Sequence, residues 1–149
     1  MNLTRRRTLM LASGAIGLGA AVAFALPAGA AVVNQSPPTP VLKLGATATL
    51  KANGAVVFAP VRITCQPGAN AFLGVTVTEA VNGGFIASGT GVTDSIPCTG
   101  SPQSISQAVT PSQRAFTKGV AFAQARVDVC NSVGCATEVN DQRIIQIVK

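Results

Sequence analysis

The sequence contains no histidine, tryptophan or tyrosine, and only five acidic residues. Without histidine, the chain has no Ser-His or Cys-His nucleophilic pair, and it lacks the side chain that most catalytic zinc sites use. Without tryptophan and tyrosine, it lacks the residues that most often anchor protein interfaces and carbohydrate-binding platforms. The commonest hydrolytic mechanisms are therefore excluded.

The few carboxylates offer one candidate catalytic pair. A glycosidase needs two facing carboxylates, and Asp128 and Glu138 could approach each other across a hairpin near the C-terminus. We predict that both are ordinary exposed carboxylates, because no surrounding motif marks an active site. A Ser-Lys pair is chemically available, but no motif selects a particular serine. We expect a protein with no enzymatic activity and no bound cofactor or metal.

The first thirty residues are typical of an export signal. A basic segment, Arg5-Arg6-Arg7, precedes the uncharged run 9–26, and Ala28-Gly29-Ala30 has the small-x-small pattern of a cleavage site. An uncleaved membrane anchor is the alternative, but its glycines and Pro27 make the run a poor membrane span. The segment 4–10 also resembles a twin-arginine motif, with Thr8 where that motif prefers an aromatic residue. We predict a secreted protein, by a route that the sequence does not identify.

The positive charge does not predict a nucleic-acid partner. The chain carries 11 Lys and Arg against 5 Asp and Glu, but three of the cations lie in the signal. The remaining eight are scattered along the sequence, which is typical of a solvated surface rather than a binding patch. They are Lys43, Lys51, Arg62, Arg114, Lys118, Arg126, Arg143 and Lys149.

The rest of the chain predicts one small β domain. We assign 1–30 to the signal, 31–43 to a flexible proline-rich lead-in and 44–149 to the domain. Strand-like alternation and turn signals recur every 8–12 residues, which favours an antiparallel immunoglobulin-like sandwich of about seven strands, with a small barrel as the alternative. The predicted strands are 46–50, 56–65, 73–78, 85–92, 103–109, 119–130 and part of 135–148.

The alternation within two strands also predicts how the four cysteines pair. Cys65 shares an apolar row with Val61 and Ile63, whereas Cys130 continues the polar row of Arg126 and Asp128. A bridge through the core needs both sulfurs on inner faces, so a Cys65–Cys130 bridge is disfavoured. We predict Cys65–Cys98 and Cys130–Cys135, the second closing a hairpin. A four-cysteine zinc site is the alternative, but the spacing and the oxidising compartment disfavour it.

The five phenylalanines outside the signal are predicted to fill a core made otherwise of alanine and valine; the alternative is that one or two of them line a ligand cleft. They are Phe58, Phe72, Phe85, Phe116 and Phe122.

The sequence shows two resemblances to known families, one confined to a hairpin near the C-terminus and one to the overall pattern. The segment 127–135, Val-Asp-Val-Cys-Asn-Ser-Val-Gly-Cys, resembles the C-x4-C hairpin of neocarzinostatin-type apoproteins, which are small secreted sandwiches that carry an enediyne chromophore. The whole pattern, with Ile63-Thr64-Cys65 and Gly119-x-Ala121-x-Ala123, more closely resembles small secreted immunoglobulin-like proteins of actinobacteria that have no assigned function. That second resemblance implies fold and location only.

Two functions from different classes follow as hypotheses. The first is a non-catalytic structural or interaction protein of the cell envelope or medium, with an unknown protein partner. The second is a carrier of a small apolar ligand, with its cleft beside the Cys130–Cys135 hairpin. A filled interior favours the first hypothesis, and a concave apolar groove near Phe122 favours the second. Nothing in the sequence predicts a stable membrane span after signal cleavage.

Overall fold

The computed structural model describes residues 39–135 and 138–149, and these form an all-β domain with two disulfide bonds. The predicted signal and most of the predicted lead-in lie outside the described residues. A 3-10 turn at Ala52–Gly54 joins the second strand to the third. The strands are β1 Val41–Leu44, β2 Thr47–Lys51, β3 Val56–Thr64, β4 Asn70–Val81, β5 Phe85–Pro97, β6 Gln103–Pro111, β7 Gly119–Cys130 and β8 Val139–Val148.

The hydrogen-bonded strands close into a ring. Its order is β3-β2-β8-β7-β4-β5-β6 and back to β3, while β1 lies along the same edge of β3 as β2. All pairs are antiparallel except β2–β8, which is parallel and joins only three residues of each strand. The β5–β6 seam joins only two. The predicted two separate sheets are therefore joined at both edges, as in the small barrel that was the alternative.

The core is built from small and branched residues on alternating positions. β4 buries Leu73, Val75 and Val77, and β7 buries its odd-numbered positions from 121 to 129. This is the predicted alternation, and it is confirmed by the burial of both rows. Because these strands turn their other row to solvent, each has one apolar face and one largely polar face.

The phenylalanine prediction was largely wrong. Phe116 is buried and Phe58 is half-buried, whereas Phe72, Phe85 and Phe122 are exposed. Phe72 and Phe122 occupy even positions in strands whose odd positions face the core, so their side chains point outwards. The alternation that turns Cys130 away from the core turns Phe122 away as well, so the sequence already contained this signal.

The predicted lead-in also extends too far into the domain. Residues 41–43 belong to β1, where Leu42 is buried and pairs with Ile63 of β3. The prolines that precede Val41 hid this strand, because the local composition is that of a linker while the next apolar residues belong to the core. Gly45 then interrupts the strand, and a β-carbon there would lie 2.6 Å from Pro60 Cγ.

Two polar side chains supply hydrogen bonds where strand pairing is sparse. At the β5–β6 seam, buried Gln107 accepts a hydrogen bond from Thr93 Oγ1 at 2.6 Å and donates one to the Ala108 carbonyl at 3.0 Å. Between β1 and β8, which are not paired, Asp141 accepts a hydrogen bond from the Leu44 amide at 2.7 Å. Each side chain thus supplies hydrogen bonds that a continuous ladder would otherwise provide.

The loop between β6 and β7 is fixed by a buried carboxylate. Glu79 of β4 accepts hydrogen bonds from the Thr117 amide at 2.8 Å and from the Thr117 hydroxyl at 2.7 Å. Next to it, Phe116 is buried and its amide donates to the Gly54 carbonyl at 3.0 Å. The loop is therefore packed against the end of the barrel.

We expect Glu79→Ala to lower the free energy of unfolding by about 2 kcal/mol, because it leaves the Thr117 amide without its partner. Glu79→Gln is the matched control. Its carboxamide can still accept from the amide and donate to the hydroxyl, so its loss should be clearly smaller. Urea unfolding of both variants measures the difference, and an alanine variant as stable as the wild type would contradict this role for Glu79.

Both predicted cysteine pairs are present as disulfides. Cys65–Cys98 is buried and ties the segment after β3 to the segment after β5. Cys130–Cys135 closes the turn that follows β7. The four-cysteine zinc alternative is therefore wrong, because the sulfurs that would ligate the metal are bonded to one another.

Candidate binding surface

The outer face of strands β5, β4, β7 and β8 carries both exposed apolar side chains and two surface depressions. The strand registers place outward-facing residues of neighbouring strands in rows across this face. We call it the four-strand face. With four strands about 4.8 Å apart and five rows about 6.8 Å apart, it measures roughly 650 Å².

One end of the four-strand face carries several large exposed apolar side chains, with a few polar residues in the same rows. Ile86 pairs with Ala80, and Phe122 pairs with Ile144 on β8, two residues along β7 from Val120. The exposed fractions of the large side chains are high: 54% for Ile86, 57% for Val120, 46% for Phe122 and 70% for Ile144. Aromatic and branched side chains at adjacent register positions form one contiguous patch rather than scattered exposed residues. We call Ala80, Ile86, Val120, Phe122 and Ile144 the apolar patch.

The middle of the same face is polar and slightly concave. Gly74 has no side chain, and a surface depression of about 380 Å³ lies over it. The hydroxyls of Thr76 and Thr90 lie 3.1 Å apart on its floor. The remaining lining residues are Val92, Gln124, Arg126, Glu138 and Asn140.

A second depression continues towards the disulfide-closed turn. It has a volume of about 130 Å³ and lies between Phe72, Asp94, Arg126 and Asp128. It shares Gly74, Val92 and Arg126 with the first depression, so the two form one shallow groove. Phe122 lies outside the lining of both. The concavity on this face is therefore largely polar, and the apolar patch lies beside it.

The candidate catalytic carboxylates occupy the rim of this groove. Glu138 forms an ion pair with Arg126 at 3.5 Å and accepts a hydrogen bond from Asn140 at 2.9 Å. Asp128 is half-buried on β7, beyond the last residues that pair β7 with β8. Glu138 is thus bound to a cation and an amide of the same face, an arrangement typical of a surface network. Within the described ranges, no cluster of three or more acidic, cysteine or histidine residues could hold a metal ion.

Sequence reasoning missed the apolar patch because its members come from four strands. Val120 and Phe122 could have been found from the alternation of β7 alone. Ile144 could not, because β8 was placed only within the interval 135–148, and Ile86 could not, because the register of β5 was unknown. Only the pairing of the strands brings these side chains together.

No protein-family model matches the chain, and no curated protein matches it. Among solved structures, the domain is similar to murine CRIg at 13% sequence identity and a TM-score of 0.38, and the match covers 74% of this chain and 97% of that one.

Proposed function

We propose that the protein is a secreted, disulfide-stabilised, non-catalytic interaction domain of the cell envelope or medium, and that it binds a protein partner through the four-strand face. The observation that carries this proposal is the apolar patch. Large exposed apolar side chains at adjacent positions are costly to keep in water, and contiguous patches of this kind mark interaction sites. As a flat rectangle of roughly 650 Å², the face is wide enough to hold the central part of a standard protein interface.

Export is supported by the basic and apolar N-terminal segment together with the disulfides. All four cysteines are paired, which is typical of proteins that fold in an oxidising compartment. No helix in the part of the chain that the structure describes is long and apolar enough to cross a membrane. A non-catalytic role is supported by the lack of histidine.

The strand pairing supports an immunoglobulin-like interpretation of the fold. β3 pairs with β1 and β6 on one side of the domain, and β4, β7 and β8 pair on the other. These groupings match those of the A, B and E strands and of the C, F and G strands in immunoglobulin domains. On this interpretation, β5 is the strand that crosses between the two sheets. The resemblance to actinobacterial secreted proteins belongs to the same proposal.

The second candidate is the small-molecule carrier, and the groove over Gly74 is the observation that favours it. The groove ends near Phe72 and Asp128, on the side where β7 leads into the Cys130–Cys135 turn. Its lining is mostly polar, whereas carriers of apolar ligands use concave and largely apolar sites. The protein-binding proposal therefore ranks first.

The experiment is site-specific photocrosslinking in the culture that produces the protein. A photoreactive phenylalanine analogue at position 144, in the apolar patch, should give a discrete higher-mass protein adduct. The same analogue at Ser106, exposed on β6 where that strand pairs with β3, is the control and should give none. Equal adducts at both positions, or no adduct at position 144, would contradict the proposal.

The polar substitutions Phe122→Ser and Ile144→Ser should abolish that adduct when the analogue is placed at Val120. Both side chains are exposed, so the free energy of unfolding should change by less than about 1 kcal/mol. Circular dichroism melting provides this check. An adduct that survives in the folded double variant would mean that the patch is not the contact surface.

A further inference from the structure

On the opposite side of the domain, the strands carry positive charges and no negative ones. Strands β1, β2, β3 and β6 contain three cations, Lys43, Lys51 and Arg62, and no carboxylate. The protein's five acids lie on β4, β5, β7 and β8 or just before β8. Asp141, the one that reaches towards β1, accepts the Leu44 amide. The cations are scattered along the sequence, as expected, but two of them become neighbours on this side of the domain through strand pairing.

Two of these cations face each other across a strand pair. Lys43 of β1 is the register partner of Arg62 of β3, and Arg62 is in turn the register partner of Ser104 of β6. All three side chains are exposed on the outer face. Cross-strand partners have β-carbons about 5 Å apart, where like charges destabilise the pair. Among the described residues, neither cation takes part in an ion pair that would offset this repulsion.

A depression adjoins this row. It has a volume of about 280 Å³ and is lined by Lys43, Arg62 and Ser104 together with the Gly45 and Pro60 crossing. The volume is below the ~300–1,000 Å³ of pockets for drug-sized ligands, so it suits a single small group. Gly45 is tightly apposed to Pro60, so the position beside Lys43 has no room for a side chain. The shape of the depression is therefore set by the close approach of β3 to the chain at Gly45.

We propose that the row Lys43–Arg62–Ser104 is a binding site for a tetrahedral oxyanion, the phosphate or phosphodiester of an envelope polymer or lipid. The guanidinium supplies paired donors in a fixed fork, the ammonium supplies a point charge, and the hydroxyl supplies a further donor. An anion held between the two cations also removes their mutual repulsion. This site lies on the side of the barrel opposite the apolar patch and does not depend on the proposed protein partner.

The first test is a titration of the disulfide-bonded protein with inorganic phosphate at constant ionic strength, followed by amide NMR. Shift changes should centre on residues 43, 62 and 104. The double variant Lys43→Ala/Arg62→Ala should bind phosphate at least about tenfold more weakly, since it loses two charge-assisted interactions. Scattered shift changes, or an unchanged dissociation constant, would overturn the proposal.

Lys118→Ala/Lys149→Ala is the matched control, because it removes the same charge at exposed positions away from β1 and β3. Its affinity should stay within about twofold of the wild type. An equal loss in both double variants would mean that net charge, and not this site, attracts the anion. Thermal unfolding gives an independent readout: phosphate should raise the melting temperature of the wild type more than that of Lys43→Ala/Arg62→Ala.

The source of the anion is distinguished with two probes. Soluble poly(glycerol phosphate) represents a polymer, and phosphatidylglycerol vesicles represent a lipid surface. Binding to either that is lost in Lys43→Ala/Arg62→Ala supports the site and identifies its source. Binding that persists unchanged in this variant contradicts the site. Because photocrosslinking at position 144 reports on the opposite side of the barrel, the two proposals can fail separately.

Discussion

Replacing Gly91 by alanine should prevent the barrel from closing. The added β-carbon would fall on the Ala108 carbonyl oxygen and lie 2.8 Å from both the Ala108 carbonyl carbon and Gln107 Nε2. The obstacle is mainly backbone, so no rotation of a flexible side chain can relieve it. We expect a loss of at least about 3 kcal/mol in the free energy of unfolding, at the upper end of overpacking effects.

Gly74→Ala is the matched control for this prediction. Gly74 lies on the adjacent strand β4, and a β-carbon there meets nothing closer than Arg126 Cγ at 3.5 Å, an ordinary contact. Its stability should stay within about 1 kcal/mol of the wild type. Chemical unfolding of both variants measures the contrast. If Gly91→Ala is as stable as Gly74→Ala, the close approach of β5 to β6 is not required for folding.

The effect of Gly91→Ala should be large because few other interactions hold β5 against β6. Only Gly89 and Thr90 pair with β6, and Gly89 makes a similar close approach to Thr110 and Pro111. Buried Gln107 supplies the side-chain hydrogen bonds beside these pairs. Displacing β6 from β5 therefore removes ladder bonds and leaves a buried carboxamide without its partner.

The second large effect is expected from removing the Cys65–Cys98 disulfide. It closes a loop of 33 residues, whereas Cys130–Cys135 closes a loop of 5. In the chain-entropy model, these contribute about 3.5 and about 2 kcal/mol. Total stabilities are only about 5–15 kcal/mol. The variant Cys65→Ala/Cys98→Ala should therefore lose a large part of its stability, and more than Cys130→Ala/Cys135→Ala.

Urea unfolding of the two double variants and the wild type shows which bridge contributes more to the free energy of unfolding. The buried position of Cys65 and Cys98 strengthens the expectation, because truncation also leaves unfilled volume in the core. Removing the turn disulfide should leave no comparable unfilled volume at Cys135, because that residue is exposed to solvent. A smaller loss for the Cys65/Cys98 variant would contradict the view that this bridge is the main covalent restraint on the barrel.

The alternation of residues predicted the parts of the fold that depend on one strand at a time. The buried rows of β4 and β7 and the exclusion of a Cys65–Cys130 bridge came from such patterns. β1 was missed because its four residues follow prolines, and strand identity there is decided by pairing with β3. The closure of the ring was left as an alternative because it depends on Gly89 and Gly91 meeting β6, which is a tertiary approach.

The candidate sites were harder to predict than the fold, because both are assembled from register. Phe122 meets Ile144 only through the β7–β8 pairing, and Lys43 meets Arg62 only through the β1–β3 pairing. These residues lie about twenty positions apart in the sequence. A shift of one residue in either register would turn one partner to the other face. Scattered positions in the sequence are therefore poor evidence of scattered positions on a sheet.

The proposed function requires that this domain bind a protein and carry no small apolar ligand. The most direct measurement is the native mass of the protein purified, without denaturation, from the medium of its own culture. We predict the mass of residues 31–149 less four hydrogens, with any additional mass being that of a protein. An excess of several hundred daltons that disappears on denaturation, and that is retained in Lys43→Ala/Arg62→Ala, would contradict the proposed function and favour the carrier.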